Sequence, residues 1–398
     1  MSRSQHLRRN SNILFWGKSL IELNMLSAVV TLFYLHRDVD LAHIFYLSIV
    51  WSIATLLFEV PSGYLADRFG RKQTLLFGTF CLALSWIAML FAHGFPAFVI
   101  IFALMSASSS CFSGTEEAFL FDSLKELGEE DHMTSHNGRL HSAQHLFNIF
   151  IPAIGAWIAK DLVESQFLIL ITVNFFTTTG AFFVLCFLTE PTHEKNVAAQ
   201  EKGIFRESVE TILHRPFLLR VAINKLLIFI ASFITWRACQ PFLSERGISV
   251  FWLGIFYFIM GGSIFLLQQH IGRIEKFIRA TAILFWSVVV IIVALIGTLF
   301  STAPWVLFSL LIIAIVFSNV REPVFGYIVN TYIRSRSRAT TLSNLNIFKA
   351  IFDIPILFLC GYLTHLHIEY IFLLAIGLCV CALLFFPIRQ RDFLFENK

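Results

Sequence analysis

Apolar residues along this chain gather into twelve runs of about 20 residues each, separated by short polar turns: 12–35, 42–66, 73–93, 96–121, 140–160, 166–188, 217–241, 248–269, 280–300, 304–332, 340–364 and 368–387. A helix needs about 20 mostly apolar residues to cross the hydrocarbon of a bilayer, and backbone facing lipid must find its hydrogen bonds within its own segment. The runs therefore predict twelve transmembrane helices. One polar stretch of any length, 189–216, falls near the middle and divides six runs from six. The pattern predicts an amino-terminal bundle over 1–188, a linker over 189–216 and a carboxyl-terminal bundle over 217–398. Within the linker, Gly203 to Leu213 carries apolar positions at helical spacing, which predicts a short amphipathic helix along the membrane surface. It reads as a tether between bundles or as a regulatory docking site.

Composition agrees with the bilayer as solvent. Of 398 residues, 57% are apolar and 14% charged, and 45 are phenylalanine; ordinary soluble domains have about 45–50% and about 25%. The expected class is an all-α integral membrane protein. Lys18 and Glu22 interrupt the first run and no small-residue cleavage site follows it, so the amino terminus is expected to be retained. The 7 cysteines fall in apolar stretches, without a CxxC pair or a Cys/His cluster at metal spacing. No nucleophile elbow, phosphate loop or catalytic ligand cluster occurs, so the expectation is no enzyme, no cofactor, no metal and no nucleotide.

Charge placement sets the expected orientation. Arg8, Arg68, Lys125, Arg206, Arg334 and Arg389 represent a large basic excess in loops on one side, whereas only Arg37, Lys160 and Arg246 lie opposite. Cytoplasmic loops carry such an excess, so both termini and the linker are expected in the cytoplasm. The net charge of +4 then reflects topology, with no sign of nucleic-acid binding. Compact loops suit a bacterial inner membrane, with the chain as a monomer in the plasma membrane.

Between the second and third runs the chain reads Gly63-Tyr-Leu-Ala-Asp67-Arg68-Phe-Gly70-Arg71-Lys72. This string resembles the cytoplasmic signature of the major facilitator superfamily, G-x-L-a-D-R-x-G-R-K. The resemblance implies two six-helix halves related by an axis along the membrane normal, and secondary transport by alternating access. It implies a cytoplasmic gate in which glycines permit a tight turn and Asp67, Arg68, Arg71 and Lys72 form a charge network. Glu59, just before the loop, and Asp122, at the end of the fourth run, join that gate; Asp122 is expected to brace Arg68 or Arg71. Weaker echoes appear at Gly272 to Arg279 and in Arg139 to Pro152 against Arg338 to Pro355. The string Arg338-Ala-Thr-Thr-Leu-Ser343, preceded by Arg321-Glu-Pro323, also resembles a pattern of drug-exporter-like branches.

An ionisable side chain in hydrocarbon is costly unless paired or hydrated, so each is a functional candidate. The first half carries Lys18, Glu22, Glu59, Glu116 and Glu117; the second carries Arg220, Lys225, Arg237, Arg321, Glu322, Lys349 and Asp353. The halves thus have opposite sign. Glu22 lies nearest the midplane, one turn from Lys18, and is the expected proton carrier, with a static pair as the alternative. Lys225, Arg321, Glu322, Asn346, Lys349 and Asp353 are the candidate substrate contacts; self-neutralising pairs are the alternative. His141, His145 and Asn148 share a face of the fifth run and could relay protons or simply line a pore.

Three functions compete. The first is proton-coupled export of small amphipathic molecules. The second is proton-coupled uptake of a zwitterionic or anionic nutrient or a siderophore-like metal chelate, which fits Ser110 standing where exporters carry an arginine. The fifth-run exporter signature is also only partial, as Ile151-Pro152-Ala-Ile-Gly155-Ala156. The third, an interaction protein that does not transport, gives no reason for so many intramembrane charges.

Overall fold

The computed structural model describes residues 2–143, 147–192, 216–274, 278–325 and 338–388. Every secondary-structure element among them is helical. The expected amphipathic helix at 203–213, part of the echo at 275–277, His145, the end of the tenth run and the last ten residues lie outside the described residues. Contacts divide the chain into two compact units, Met1–Val197 and Ala198–Lys398. Nine helices among the described residues are long and apolar enough to cross a membrane. A tenth, Glu369–Phe385, is apolar but shorter; the first and fifth runs differ from expectation by being broken.

In the first unit α1 spans Arg3–Ile21, α2 Val30–His36, α3 Leu41–Phe69, α4 Arg71–Phe91, α5 Gly94–Phe112, α6 Thr115–Leu127, α7 Met133–Ser142, α8 Ile151–Ile158 and α9 Glu164–Cys186. The first helix starts earlier than its apolar run because Ser2 and Gln5 form a reciprocal capping box. It stops in the middle of that run. From Glu22 to Val29 the chain leaves the helix, and α2 resumes it. Asn24 is the local cause: its Oδ1 accepts from the Leu26 N–H at 3.0 Å, and its carbonyl accepts from the Ser27 hydroxyl at 2.9 Å. Fully buried Asn174 of α9 completes the repair, taking the Met25 N–H on its Oδ1 at 2.9 Å and donating to Asn24 Oδ1 at 3.2 Å. The fifth run also breaks, into α7 and α8; Pro152, at the start of α8, has no N–H to leave unpaired there. Gly155 lets α8 lie against the unwound segment, since a Cβ at that position would fall on the Met25 carbonyl. In the fourth run, Ser113 and Gly114 (φ 69°) separate α5 from α6.

In the second unit α10 spans Pro216–Glu245, α11 Val250–Ile274, α12 Ala280–Phe300, α13 Pro304–Asn319, α14 Arg338–Leu366 and α15 Glu369–Phe385. Helix α10 packs on α15 and α13, and α12 on α13 and α15. The apolar segment of α13 continues to Phe325.

The two units solve one polar problem in the same way. In the first, buried Asn10 of α1 donates to Ser123 Oγ at 2.9 Å and to the Thr189 carbonyl at 2.8 Å, and accepts from the Thr189 N–H at 2.9 Å. In the second, buried Asn224 of α10 donates to the Ala382 and Phe386 carbonyls at 3.1 and 2.9 Å and accepts from Arg321 at 2.6 Å. Each asparagine ties the first helix of its unit to the end of the last. Both reach a third helix as well, through Ser123 or Arg321. Replacing Asn10 with leucine leaves the Thr189 N–H and carbonyl without this partner, so it is expected to destabilise the detergent-purified protein by about 1–3 kcal/mol. A thermal-unfolding midpoint equal to that of the unaltered protein would remove this bridge from the framework.

Candidate functional site

The basic loop between α3 and α4 is built around Gly70, whose φ of 98° and ψ of 153° let one helix end and the next begin without a spacer. The first N–H groups of α4 need acceptors. Glu190, just past α9, supplies them: its two carboxylate oxygens accept from the Arg71 and Lys72 N–H groups, each at 2.8 Å. The Lys72 ammonium donates to the Cys186 carbonyl at 2.7 Å. Arg71 extends its guanidinium to Asp122 at 2.5 Å and to the Ala118 carbonyl on α6, with Asp67 within electrostatic reach. Arg68 instead turns outward, donates to the Tyr64 hydroxyl at 3.0 Å and lies over the Phe69 ring. Glu59 accepts from Ser113 at 3.1 Å, which brings α3 to the break between α5 and α6. Glu59, Gly63, Asp67, Arg68, Gly70, Arg71, Lys72 and Asp122 thus occupy one end of the unit, where Arg71 and Asp122 meet directly while Arg68 does not join them.

A second tether holds the amino terminus at the same end. Arg3 forms a fork with Glu126 at 2.6 and 3.1 Å and donates to the Glu190 carbonyl at 3.1 Å. Thr192 donates to Glu126 from both its N–H and its hydroxyl, at 2.7 and 2.8 Å. Glu126 lies beyond the apolar run that ends at Phe121, and the Arg3 guanidinium, with Thr192, holds its carboxyl down at about 2.

Deeper in the first unit, Lys18 is paired across helices with Glu116 of α6, both nearly buried. This partner replaces the intrahelical one that the sequence spacing suggested. Glu22 sits at the C-terminal cap of α1, where the helix breaks, within electrostatic reach of both Lys18 and Glu116. One ammonium therefore faces two carboxylates beside unwound backbone. The break and its Asn24–Asn174 support are absent from the sequence expectation. The signal that could have found them is an asparagine two residues from an intramembrane glutamate.

In the second unit Lys225 meets Glu322 at 2.8 Å and Lys349 meets Asp353 at 2.9 Å. Lys349 also lies 4.4 Å from the Phe229 ring centre. Arg321 is buried, donating to the Leu284 carbonyl at 2.5 Å, to Ser287 at 3.0 Å and to Asn224. Lys225 and Arg321 lie over the same Phe325 ring, at 6.0 and 5.1 Å from its centre, while Lys349 and Asp353 form their own pair. The side chains of Asn346 and His141 lie outside the described residues. Among the described residues no cluster of His, Cys, Asp or Glu has the shape of a metal site.

Comparison with known proteins agrees with this architecture. The family described as "Major Facilitator Superfamily" matches residues 19–353. The chain belongs to the major facilitator superfamily. Similar sequences include an uncharacterized MFS-type transporter, YxaM, of Bacillus subtilis (strain 168), 24% identical over 258 residues and 64% of each chain. Another is the uncharacterized MFS-type transporter MJ1317 of Methanocaldococcus jannaschii, 25% identical over 122 residues, 31% of this chain and 30% of that one. The chain thus spans less than two thirds of the length of either relative. Among solved structures, a bacterial homologue of the human lysosomal transporter Spinster superposes with a TM-score of 0.79 at 13% identity, over 100% of this chain and 99% of the other. A D-xylose–proton symporter superposes with a TM-score of 0.68 at 13% identity, over 96% and 98%.

This major facilitator protein is a multi-pass membrane protein. Glu190 is the member of its loop network that spacing did not reveal, since it stands outside the signature and only the fold brings it to the start of α4. The depressed Glu126 carboxyl gives a pH prediction. Its tether contributes stability in full above about pH 4.5 and loses it as pH falls through about 2. Glu126→Gln should therefore lower the unfolding temperature by the same amount at about pH 5.5 and about pH 7.5. A loss that differs between the two would place the pairing elsewhere.

Proposed function

We propose that this chain is a proton-coupled secondary transporter that exports small amphipathic molecules across a bacterial inner membrane, with both termini in the cytoplasm. The observation that carries the reading is the group of Lys18, Glu22 and Glu116 at the broken end of α1. One ammonium stands between two carboxylates in a place where charge is costly, and a proton on one carboxylate lowers that cost. The Lys18–Glu116 pair neutralises itself, so Glu22 is the carboxylate that exchanges the proton. Non-helical backbone at membrane depth is tolerated where it is buried in protein or lines a cavity, and this break places unwound backbone and an acid together.

Transport proceeds by alternating access, with the two halves moving against each other and the Gly63–Lys72 loop latching one state. Support for amphipathic cargo over an anionic nutrient or metal chelate comes from the second unit. Lys225 and Lys349 have carboxylates of their own, and Arg321 is spent on Asn224, Ser287 and the Leu284 carbonyl. A strongly anionic cargo would have to displace those partners.

In proteoliposomes, Glu22→Gln should abolish transport driven by an imposed pH gradient while substrate exchange without a gradient persists. Gradient-driven transport at the original rate would reject Glu22 as the carrier. Asp67→Asn should slow turnover and leave ligand binding intact, and a turnover number equal to that of the parent protein would reject the latch.

A further inference from the structure

The Arg37 side chain is fully buried at the end of the first unit away from the basic loop, and the transport reading gives it no role. Helix α3 starts close by in the chain, at Leu41, and ends at that loop. A buried guanidinium needs several acceptors. Arg37, the C-terminal cap of α2, finds them on other elements. Its Nη1 donates to the Ala92 carbonyl and to His93 Nε2, each at 2.9 Å, and its Nη2 donates to the Leu90 carbonyl at 3.3 Å and to Glu164 at 2.6 Å. The two carbonyls belong to the end of α4, where a helix has no amides left for them, and Glu164 is the first residue of α9. The main chain adds a further tie, from the Gly94 N–H to the Arg37 carbonyl at 2.9 Å. One residue thus joins α2 to the turn between α4 and α5 and to the start of α9.

Two contacts at this junction respond to protons in opposite senses. A guanidinium only donates, so the His93 nitrogen that faces it has to accept, which a charged imidazole cannot do. His36 of α2 stands 3.3 Å from the other oxygen of Glu164, and there a charge on the imidazole strengthens the contact. Both histidines are exposed, so solvent delivers the proton, and imidazoles charge between about pH 5 and 8. The remaining ionisable groups of these turns are engaged elsewhere or exposed: Asp40 holds His43 at 2.8 Å, Asp161 accepts from Gln166 at 2.8 Å, and Asp38 and Lys160 face outward. Backbone strain collects here as well. Asp38, next to Arg37, and Leu162, two residues before Glu164, are the non-glycine residues with positive φ among the described residues, at 61° and 52°. Such conformations persist where surrounding contacts hold them.

We propose that this junction is an acid-released clamp. With His93 neutral, Arg37 holds α2 to the α4–α5 turn. Charging His93 sets two cations against each other and opens that contact, while the charged His36–Glu164 pair keeps α2 on α9. Resting on the transport reading above, this end of the unit faces away from the cytoplasm, so the clamp answers to the pH outside.

The Gly94 amide reports the clamp directly. In the purified full chain in detergent, hydrogen–deuterium exchange over His93 to Ala97, corrected for the intrinsic pH dependence of amide exchange, should show at least about tenfold less protection at about pH 5 than at about pH 7.5. Protection in the middle of α4 should stay unchanged between the two, which separates release of the clamp from general unfolding. His93→Gln supplies an uncharged acceptor at every pH and should keep its full protection at the lower pH. His93→Lys supplies a permanent charge and should lose protection at both. If His93→Lys fails to fold, His93→Gln against the parent decides alone. Protection in the parent that does not change with pH, or His93→Gln that loses protection in acid as the parent does, would overturn the clamp. The proton reading fails separately: Glu22→Gln that retains gradient-driven flux rejects coupling, whatever the exchange pattern shows.

Discussion

Hydrocarbon offers no water to satisfy a polar group, and that constraint shapes both units. The buried amides and the guanidinium described above are answered by partners on another segment: Asn10 by Thr189 and Ser123, Asn224 by the end of α15, Arg321 by α10 and α12, Asn174 by the unwound segment. Hydrophobic burial gives little reason for apolar helices to leave lipid for each other. The polar bridges give direction and register, and the glycine at 155 shows how closely backbone then approaches backbone.

The same constraint separates structural from functional charge. Arg321 stood among the substrate candidates because an arginine deep in a span is costly; its surroundings show a staple that organises α10, α12 and α13. Lys18, Glu22 and Glu116 are different in kind, because one ammonium stands among two carboxylates. The proposed proton exchange rests on that arrangement.

How much could be read in advance follows from which signals are local. Span positions were legible because each apolar run is a local property, and the signature loop was legible because its residues are contiguous. The basic loop resembled its family down to Gly70, whose backbone conformation only glycine adopts readily. Pairings made across helices were not legible: Lys18 with Glu116 rather than Glu22, and Glu190 at the start of α4 from more than a hundred residues away. The broken first helix escaped because hydropathy averages over Asn24, while the fold depends on what that one side chain bonds.

The repair of that break has a mechanical consequence. The hydrogen bonds that a continuous helix would make within itself are here lent by Asn174, on α9. Rewinding Glu22 to Val29 would require α9 to release its amide. The conformation of one segment and the placement of another helix are thus held together by a single carboxamide.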